Sequence, residues 1–326
     1  MLNQRGKPTA ETRERVMEAV QALGYVPDGA ALALSRGLKE VVAVVFRRGQ
    51  QAGFEGEDES PLFDEMVNRG IQASAQRTGF DVLTAQVSTD DASTRLLVLA
   101  RKADGLILHD RVTSAAVLAR LARIVPVVTL VGRPTRGVLS VRCDNEGGMQ
   151  ALVRHLCEDH RYRSLGYLSG HTDSPDNQVR ARAVAAEART SGTHLITGPA
   201  WVGDYSAAGG ARVVSALLSQ GVELPRAIVC ANDQTALGVM HVLGRHGLRV
   251  PDDVAVTGFD DLAFARHLRP PLTTVRQPIR EMGAAAFELL HTAITGAPQA
   301  AHEVVLPTLP VLRESCGCLE ASPQPV

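Results

Sequence analysis

Polar side chains able to grip a hydroxyl-bearing molecule stand directly behind apolar runs at several places in this chain. Asp144 follows SVRC, Asn232 follows AIVCA and Asp260 follows VAVTGF, while Arg182 opens the helical stretch behind SLGYLSG, with Arg180 as its neighbour. Carboxylates accept hydrogen bonds from hydroxyl groups, an amide both donates and accepts, and a guanidinium can fork across two oxygens. That set suits a sugar or a nucleoside. Asn and Asp at strand ends also cap helices and close turns, so Asn232 and Asp260 have a purely structural reading as well.

Other chemistry is not signalled. The chain has no G-x-x-x-x-G-K-[ST] phosphate loop, no G-x-G-x-x-G behind a strand, no G-x-S-x-G elbow and no H-E-x-x-H helix, so no catalytic residues and no cofactor are expected. HLCEDH resembles a metal cluster by eye, but His155 and His160 are five residues apart and would not share a helical face, and no metal is expected there. The five cysteines are odd in number, and the closest pair, Cys316 and Cys318, has C-x-C rather than C-x-x-C spacing. Reduced thiols without a special role are the reading. A formal net charge of −1 gives no support to nucleic-acid binding from bulk charge, so any such case has to come from pattern.

The elements that must position these residues alternate. VVAVVF (41–46), DVLTAQV (81–87), DGLILH (104–109), VPVVTLV (125–131) and SVRCD (140–144) are strand-like, with helix-like stretches between them, including 61–79 and one from Glu146 to Cys157. A second series opens at SLGYLSG (164–170) and runs through HLITGPAW, helix 207–220, AIVCA (227–231), helix 234–246 and VAVTGF (254–259). Continuous apolar strands separated by helices predict parallel sheets covered on both faces and joined by right-handed crossovers. The fold class expected is therefore α/β, with two doubly wound parallel-sheet lobes and a cleft between them at the carboxyl ends of the strands. RRGQQAGFEGEDESP (47–61) is a long polar loop at such an end, and is read as surface. No run approaches the roughly 20 apolar residues of a membrane span. The N-terminus has no apolar secretory segment, so a cytoplasmic location is expected.

The first 40 residues differ. Thr9 is placed to cap a helix, ETRERVMEAVQAL, with Val16, Val20 and Leu23 along one stripe, and Gly24 follows it. Beyond Pro27, Asp28 caps a short Ala- and Leu-rich helix ending near Gly37. A helix so short is marginal alone and would form against a partner.

Several passages resemble the lactose-repressor (LacI/GalR) family of transcriptional regulators. KPTAETRERVMEAVQALGYVPDGAALALSRG resembles that family's third headpiece helix and hinge. ANDQTALGVMHVLGRHGLRVPDDVAVTGFDDLAFARHLRPPLTTVRQP resembles a long characteristic passage, and SVRCDNEGGMQALVRHL, RYRSLGYLSG and LRESCGC match further along, in the family's order. The resemblance implies a periplasmic-binding-protein-like pair of lobes, a homodimer, an operator DNA partner and a small-molecule effector, most simply a carbohydrate. It divides the chain into a partial helix-turn-helix headpiece (1–26), a hinge helix and linker (27–40), an effector-binding N-lobe (41–163 and 276–298), a C-lobe (164–275 and 299–320) and a tail (321–326). It makes Leu34 the apolar wedge that enters the minor groove, flanked by Ala31 and Ser35. It makes Asn232 and Asp260 C-lobe ligand residues, with Arg182 beside them and Asp144 nearer the crossover, and it puts Tyr205 where relatives carry a stacking aromatic. Aromatics are only 4% of the chain, and Phe63 is the one placed to wall the cleft from the N-lobe. Family members begin with about twenty residues of helix-turn-helix, whereas the match here begins near the end of the second helix, so an upstream extension of the reading frame beyond Met1 is expected. The same lobes would also serve a sugar-transport receptor or a sugar-processing enzyme. The headpiece-like residues 8–37 argue against the first, and the lack of any acid–base pair argues against the second.

Overall fold

In the computed structural model, residues 9–25, 28–47, 62–88, 92–109, 111–132 and 135–319 are described. Two helices come first, α1 (Ala10–Ala22) and α2 (Gly29–Arg36). Both have the caps their sequences predict: the Thr12 amide donates to Thr9 Oγ1 at 3.3 Å, and the Ala31 amide to Asp28 Oδ1 at 3.1 Å. α1 buries no residue, and its apolar Met17 and the Leu23 that follows it stay exposed. The polar loop 48–61 and the tail 320–326 lie outside the described residues.

The N-lobe takes β1 (Val41–Arg47), α3 (Leu62–Thr78), β2 (Asp81–Val87), α4 (Ala92–Lys102), β3 (Gly105–His109), α5 (Ala115–Leu121), β4 (Val127–Leu130) and β5 (Leu139–Cys143). Helix α6 (Asn145–Glu158) then leads to the C-lobe: β6 (Ser164–Leu168), α7 (Pro175–Thr190), β7 (His194–Ile196), α8 (Ala207–Ser219), β8 (Ala227–Cys230), α9 (Asp233–Arg245) and β9 (Ala255–Thr257). The chain returns through β10 (Thr274–Arg276), α10 (Ile279–Thr295) and β11 (Glu303–Leu306), and ends beyond β12 (Leu309–Val311).

The first sheet has six strands in the order β11-β5-β4-β3-β1-β2 and the second has four, β7-β6-β8-β9, with every pairing in both parallel. Strands covered on both faces must be apolar on both, which is why Val42, Ala43, Val44 and Val45 of β1 are wholly buried. The two-lobe α/β architecture is thus the one the alternation predicts. Two boundaries differ. Residues 299–320 do not all join the C-lobe, because β11 pairs with β5 as the edge strand of the N-lobe sheet. Helix α6, which the sequence division leaves in the N-lobe, packs along α7 of the C-lobe.

Glycine permits the closest helix contact of the N-lobe. α3 lies on α10, and a Cβ at Gly70 would collide with the Arg280 carbonyl, as one at Gly283 would with that of Val67. The two bare backbones let the helices cross at contact distance and bury Ile71, Met282 and Phe287 around them.

Between the lobes the chain crosses three times, at β5–α6, at β10–α10 and at β11–β12, and the strands side by side there are bonded to each other. The Asp144 amide donates to the Leu306 carbonyl at 2.8 Å, Thr308 Oγ1 to the Asp144 carbonyl at 2.8 Å, and β10 pairs antiparallel with β12. These narrow connections are where two rigid halves can hinge.

Candidate effector site between the lobes

A cavity of about 420 Å³ lies between the lobes, and the carboxyl ends of the parallel strands form its walls. From the N-lobe come Arg47 at the end of β1, His109 at the end of β3, Arg111 and Val131 just past strands, and Phe63 and Asp64 at the start of α3. From the C-lobe come His171, Ser174, Asp176 and Arg180 behind β6, Asp204 and Tyr205 before α8, Asn232 and Gln234 behind β8, and Asp260 behind β9, while Gln277 stands at the crossover. Parallel strands end together, so loops from distant parts of the sequence converge on this one space.

Arg180 anchors the C-lobe wall. It is 4% exposed; its Nε donates to Asn145 Oδ1 at 2.7 Å, its Nη1 to the Ala231 carbonyl at 2.7 Å, and its guanidinium carbon lies 3.6 Å from the centre of the Phe259 ring. Asp176 approaches its Nη2 at 3.9 Å. A buried cation this fully engaged is a fixed positive charge with no freedom to turn away.

Asp260 faces the same space at 5% exposure. Its backbone has φ of 126°, a region that L-residues rarely occupy, and such strain persists only where surrounding structure enforces it. Burial pushes its carboxyl up to about 7, against the pull of Arg180 and of the hydrogen bond that Gln277 Nε2 donates at 2.5 Å. Behind it, burial and the neighbouring Asp260 hold Asp233 well above the ordinary carboxylate range, even though Thr274 Oγ1 and the Leu262 amide donate to it. The carboxyl that meets the cavity therefore changes charge near neutral pH.

Asn232 lines the cavity and also caps α9. Its Oδ1 accepts from the Thr235 amide at 3.0 Å and from Thr235 Oγ1 at 2.6 Å, and its Nδ2 donates to the Tyr205 carbonyl at 2.9 Å. The capping bonds hold the amide at the wall. Tyr205, at φ of 70°, donates its hydroxyl to Ser174 Oγ at 3.2 Å and meets His171 edge-on. Phe63 stands opposite, edge-on to His109 with ring centres 5.6 Å apart. Two aromatic rings thus wall the space, one from each lobe.

Of the residues singled out in the sequence, the structure brings Asn232, Asp260, Tyr205 and Phe63 together around the cavity. Arg182 is not with them. Two positions along a helix turn the side chain by about 200°, so Arg182 projects into solvent from the far side of α7 while its neighbour Arg180 projects into the cavity. Asp144 is not among the described residues of the wall either. Its Oδ1 accepts from the Gly147 amide at 2.9 Å as the cap of α6, and its backbone ties the crossovers together. The histidines His109 and His171, the carboxylates Asp64, Asp176 and Asp204, and Arg47 and Arg111 were not anticipated. Their signal was available, since Arg47, His109 and His171 stand at or just beyond the apolar runs as Asp260 does.

Ion pairs from Asp173 span the cleft. Asp173 of the C-lobe meets Arg111 of the N-lobe at 2.9 Å and Arg47 at 3.6 Å. Asp173 is 63% exposed, and a pair so open to water contributes no more than about 1 kcal/mol. It can break and re-form as the lobes move. No described helix is long and apolar enough to cross a membrane.

The sequence argument against a metal at HLCEDH does not survive the fold. α6 ends at Glu158, so His160 lies beyond the helix and turns back, and His155 Nε2 and His160 Nε2 approach to 3.0 Å.

Comparison with known proteins agrees with this architecture. Residues 153–316 match the family model of the periplasmic binding protein-like domain. The chain is 31% identical over 323 residues to the HTH-type transcriptional regulator GalR of Salmonella typhimurium, covering 95% of this chain and 89% of that one. It is 30% identical over 293 residues to catabolite control protein A of Priestia megaterium, covering 87% and 85%. Among solved structures, the lac repressor dimer bound to operator and the anti-inducer ONPF superposes with a TM-score of 0.80 at 26% identity, covering 97% of this chain and 93% of that one. The complex of the transcriptional regulator CelR with cellobiose superposes at 0.70 with 28% identity, over 96% and 93%. The hinged lobes, the helical N-terminal segment and the near-complete match to GalR place this chain in the LacI/GalR family of transcriptional regulators.

Proposed function

We propose that this chain is a homodimeric, cytoplasmic repressor of transcription whose grip on operator DNA is set by a small hydroxyl-rich effector, most simply a carbohydrate, held between the lobes. The observation that carries the reading is the composition of the cavity. Donors (Arg180, Asn232, Arg111), acceptors (Asp176, Asp204, Asp260) and two aromatic rings converge from both lobes on a space of about 420 Å³, a size that suits a mono- or disaccharide. Because both lobes contribute, a ligand that touches both favours one lobe arrangement over another by its difference in affinity for the two. The second supporting feature is α2, whose Leu34 is 89% exposed. An apolar side chain held out in water on a short helix suits a wedge that gains a partner only on DNA.

A thermal-shift screen of the protein against a sugar panel tests this. A ligand at 100 times its dissociation constant adds about 2.7 kcal/mol of stability, and Asp260→Ala is expected to abolish the response. A shift that persists undiminished in that variant would place the binding elsewhere. Affinity should also depend on pH with a definite sign. Asp260 changes charge at about 7, and a carboxylate accepts from hydroxyls more strongly than its protonated form. Going from pH 6 to pH 8 raises the charged fraction roughly tenfold, so the dissociation constant should fall by close to that factor. Calorimetric titrations at the two pH values read it directly.

A further inference from the structure

Away from the cleft, four side chains that bind soft metals converge at the junction of α6 with the chain's end. His155 lies in the last turn of α6, His160 in the turn behind it, and Cys316 and Cys318 near the end of the described chain. Their ligating atoms all lie within 4.8 Å of one another. We propose that this chain binds one zinc ion through His155, His160, Cys316 and Cys318.

The argument is geometric. Tetrahedral zinc holds sulfur at about 2.3 Å and imidazole nitrogen at about 2.0–2.1 Å. A tetrahedron with those radii has sulfur-to-nitrogen edges of about 3.5 Å, a sulfur-to-sulfur edge of about 3.8 Å and a nitrogen-to-nitrogen edge of about 3.3 Å. Here Cys316 Sγ and His155 Nε2 are 3.6 Å apart, Cys318 Sγ and His155 Nε2 3.5 Å, and Cys318 Sγ and His160 Nε2 3.5 Å. The two sulfurs are 3.5 Å apart and the two nitrogens 3.0 Å. All five distances fall within a few tenths of an ångström of what the ion requires. They are five of the six edges of the tetrahedron, and the sixth, from Cys316 Sγ to His160 Nε2, is no longer than 4.8 Å, so a small shift brings all four atoms around one ion.

The surroundings are those of a ligand set. His155 Nδ1 is bonded to Asp159 Oδ2 at 2.7 Å, which leaves a lone pair on Nε2 directed at the cluster, the usual arrangement of a carboxylate behind a metal-bound imidazole. His160 is held by stacking on Tyr162, with ring centres 5.2 Å apart, and Tyr162 Oη donates to the Cys316 carbonyl at 2.8 Å. Between the two cysteines, Gly317 has φ of 106°, and a Cβ there would press on Tyr162 Oη and on the His160 ring. The glycine lets the C-G-C turn present both thiols to the same side. Cys316 is buried and Cys318 half-buried, so the group is dry on one side and open to an entering ion on the other. Two nitrogens and two sulfurs in a tetrahedron favour zinc over magnesium or calcium, which prefer oxygen. The ion would clasp the chain's end to the helix that leads from the N-lobe into the C-lobe.

The protein, stripped of metal by a chelator under reducing conditions and titrated with Zn²⁺, should take up one ion per chain and retain it through gel filtration. Titration with Co²⁺ should give the intense visible bands of a tetrahedral site together with thiolate charge transfer, and added Zn²⁺ should bleach both. Bound zinc should shield two thiols from a colorimetric thiol reagent. Cys318→Ser and His160→Gln, both at half-buried positions, should each abolish these signals, while Cys157→Ser, outside the cluster, should leave them intact. Should Cys318→Ser fail to fold, the wild-type cobalt spectrum and His160→Gln decide. Failure of the wild type to retain zinc, a weak octahedral cobalt spectrum, or unchanged uptake by His160→Gln would overturn the proposal. None of these readouts depends on DNA or on the effector.

Discussion

Arg180→Met is expected to abolish the effector response and to destabilise the protein, while Arg182→Met, two residues away, does neither. The substitution keeps much of the side-chain volume and removes the charge. What is lost is a set of interactions that only a guanidinium satisfies: bonds to Asn145 Oδ1 and the Ala231 carbonyl, stacking on Phe259, and the counter-charge to Asp176 and Asp260. The abandoned acceptors are buried, and an unpaired buried partner costs more than the bond contributed. Breaking such a network typically costs about 3–5 kcal/mol. Asp260 loses the cation that opposes its burial, so its carboxyl rises further and is less often charged at neutral pH. The two effects combine on sugar binding. Arg182 is exposed, and exposed substitutions stay within about 0.5 kcal/mol. Denaturant midpoints of the two variants, with and without a sugar that stabilises the wild type, separate the two arginines. Equal behaviour of the variants would show that the cation in the cavity does not carry the site.

The second large effect lies at the other end of the molecule. Leu34→Ala should weaken operator binding about a hundred- to ten-thousandfold, while leaving stability and the sugar response unchanged. Leu34 is 89% exposed, so removing most of its side chain forfeits almost no packing in the protein alone. If it enters a base step on DNA, the complex loses the burial of a leucine side chain, about 1.5–3 kcal/mol for each one. Two would be lost in a homodimer. Fluorescence anisotropy on an operator duplex reads the change, and undiminished affinity would remove Leu34 from the interface. Ala31 and Ser35, on the same short helix, should have smaller effects because their side chains are smaller.

How much of this was legible in the residues follows from what each signal is made of. The sheets were visible because strands covered on both faces leave uninterrupted apolar runs, and VVAVVF and AIVCA became β1 and β8 almost residue for residue. The caps at Thr9 and Asp28 were visible because capping is local. Asn232 and Asp260 were visible because parallel strands deliver whatever follows them to one cleft. The choice of Arg182 over Arg180 failed on helix phase, which a strand-end argument does not contain. β11 escaped assignment to the N-lobe because its partner β5 lies some 160 residues earlier, and pairing over that distance leaves no local mark. The histidine–cysteine group was missed for a related reason. Its two halves are far apart in sequence, and the spacing of His155 and His160 was judged as if the helix continued through both, whereas it stops between them.

The central claim is that a molecule lodged between the lobes controls the hold on DNA at the far end of the chain. The most direct test is anisotropy of the full-length gene product on a duplex selected from a random pool, titrated with whichever sugar gives the largest thermal shift. Allosteric coupling of this kind usually amounts to about 1–3 kcal/mol, so the wild type should change its affinity for the duplex roughly tenfold, and Asp260→Ala should not respond at all. A wild-type affinity that stays constant while the sugar demonstrably occupies the cleft would contradict the account, and so would a response that survives in Asp260→Ala.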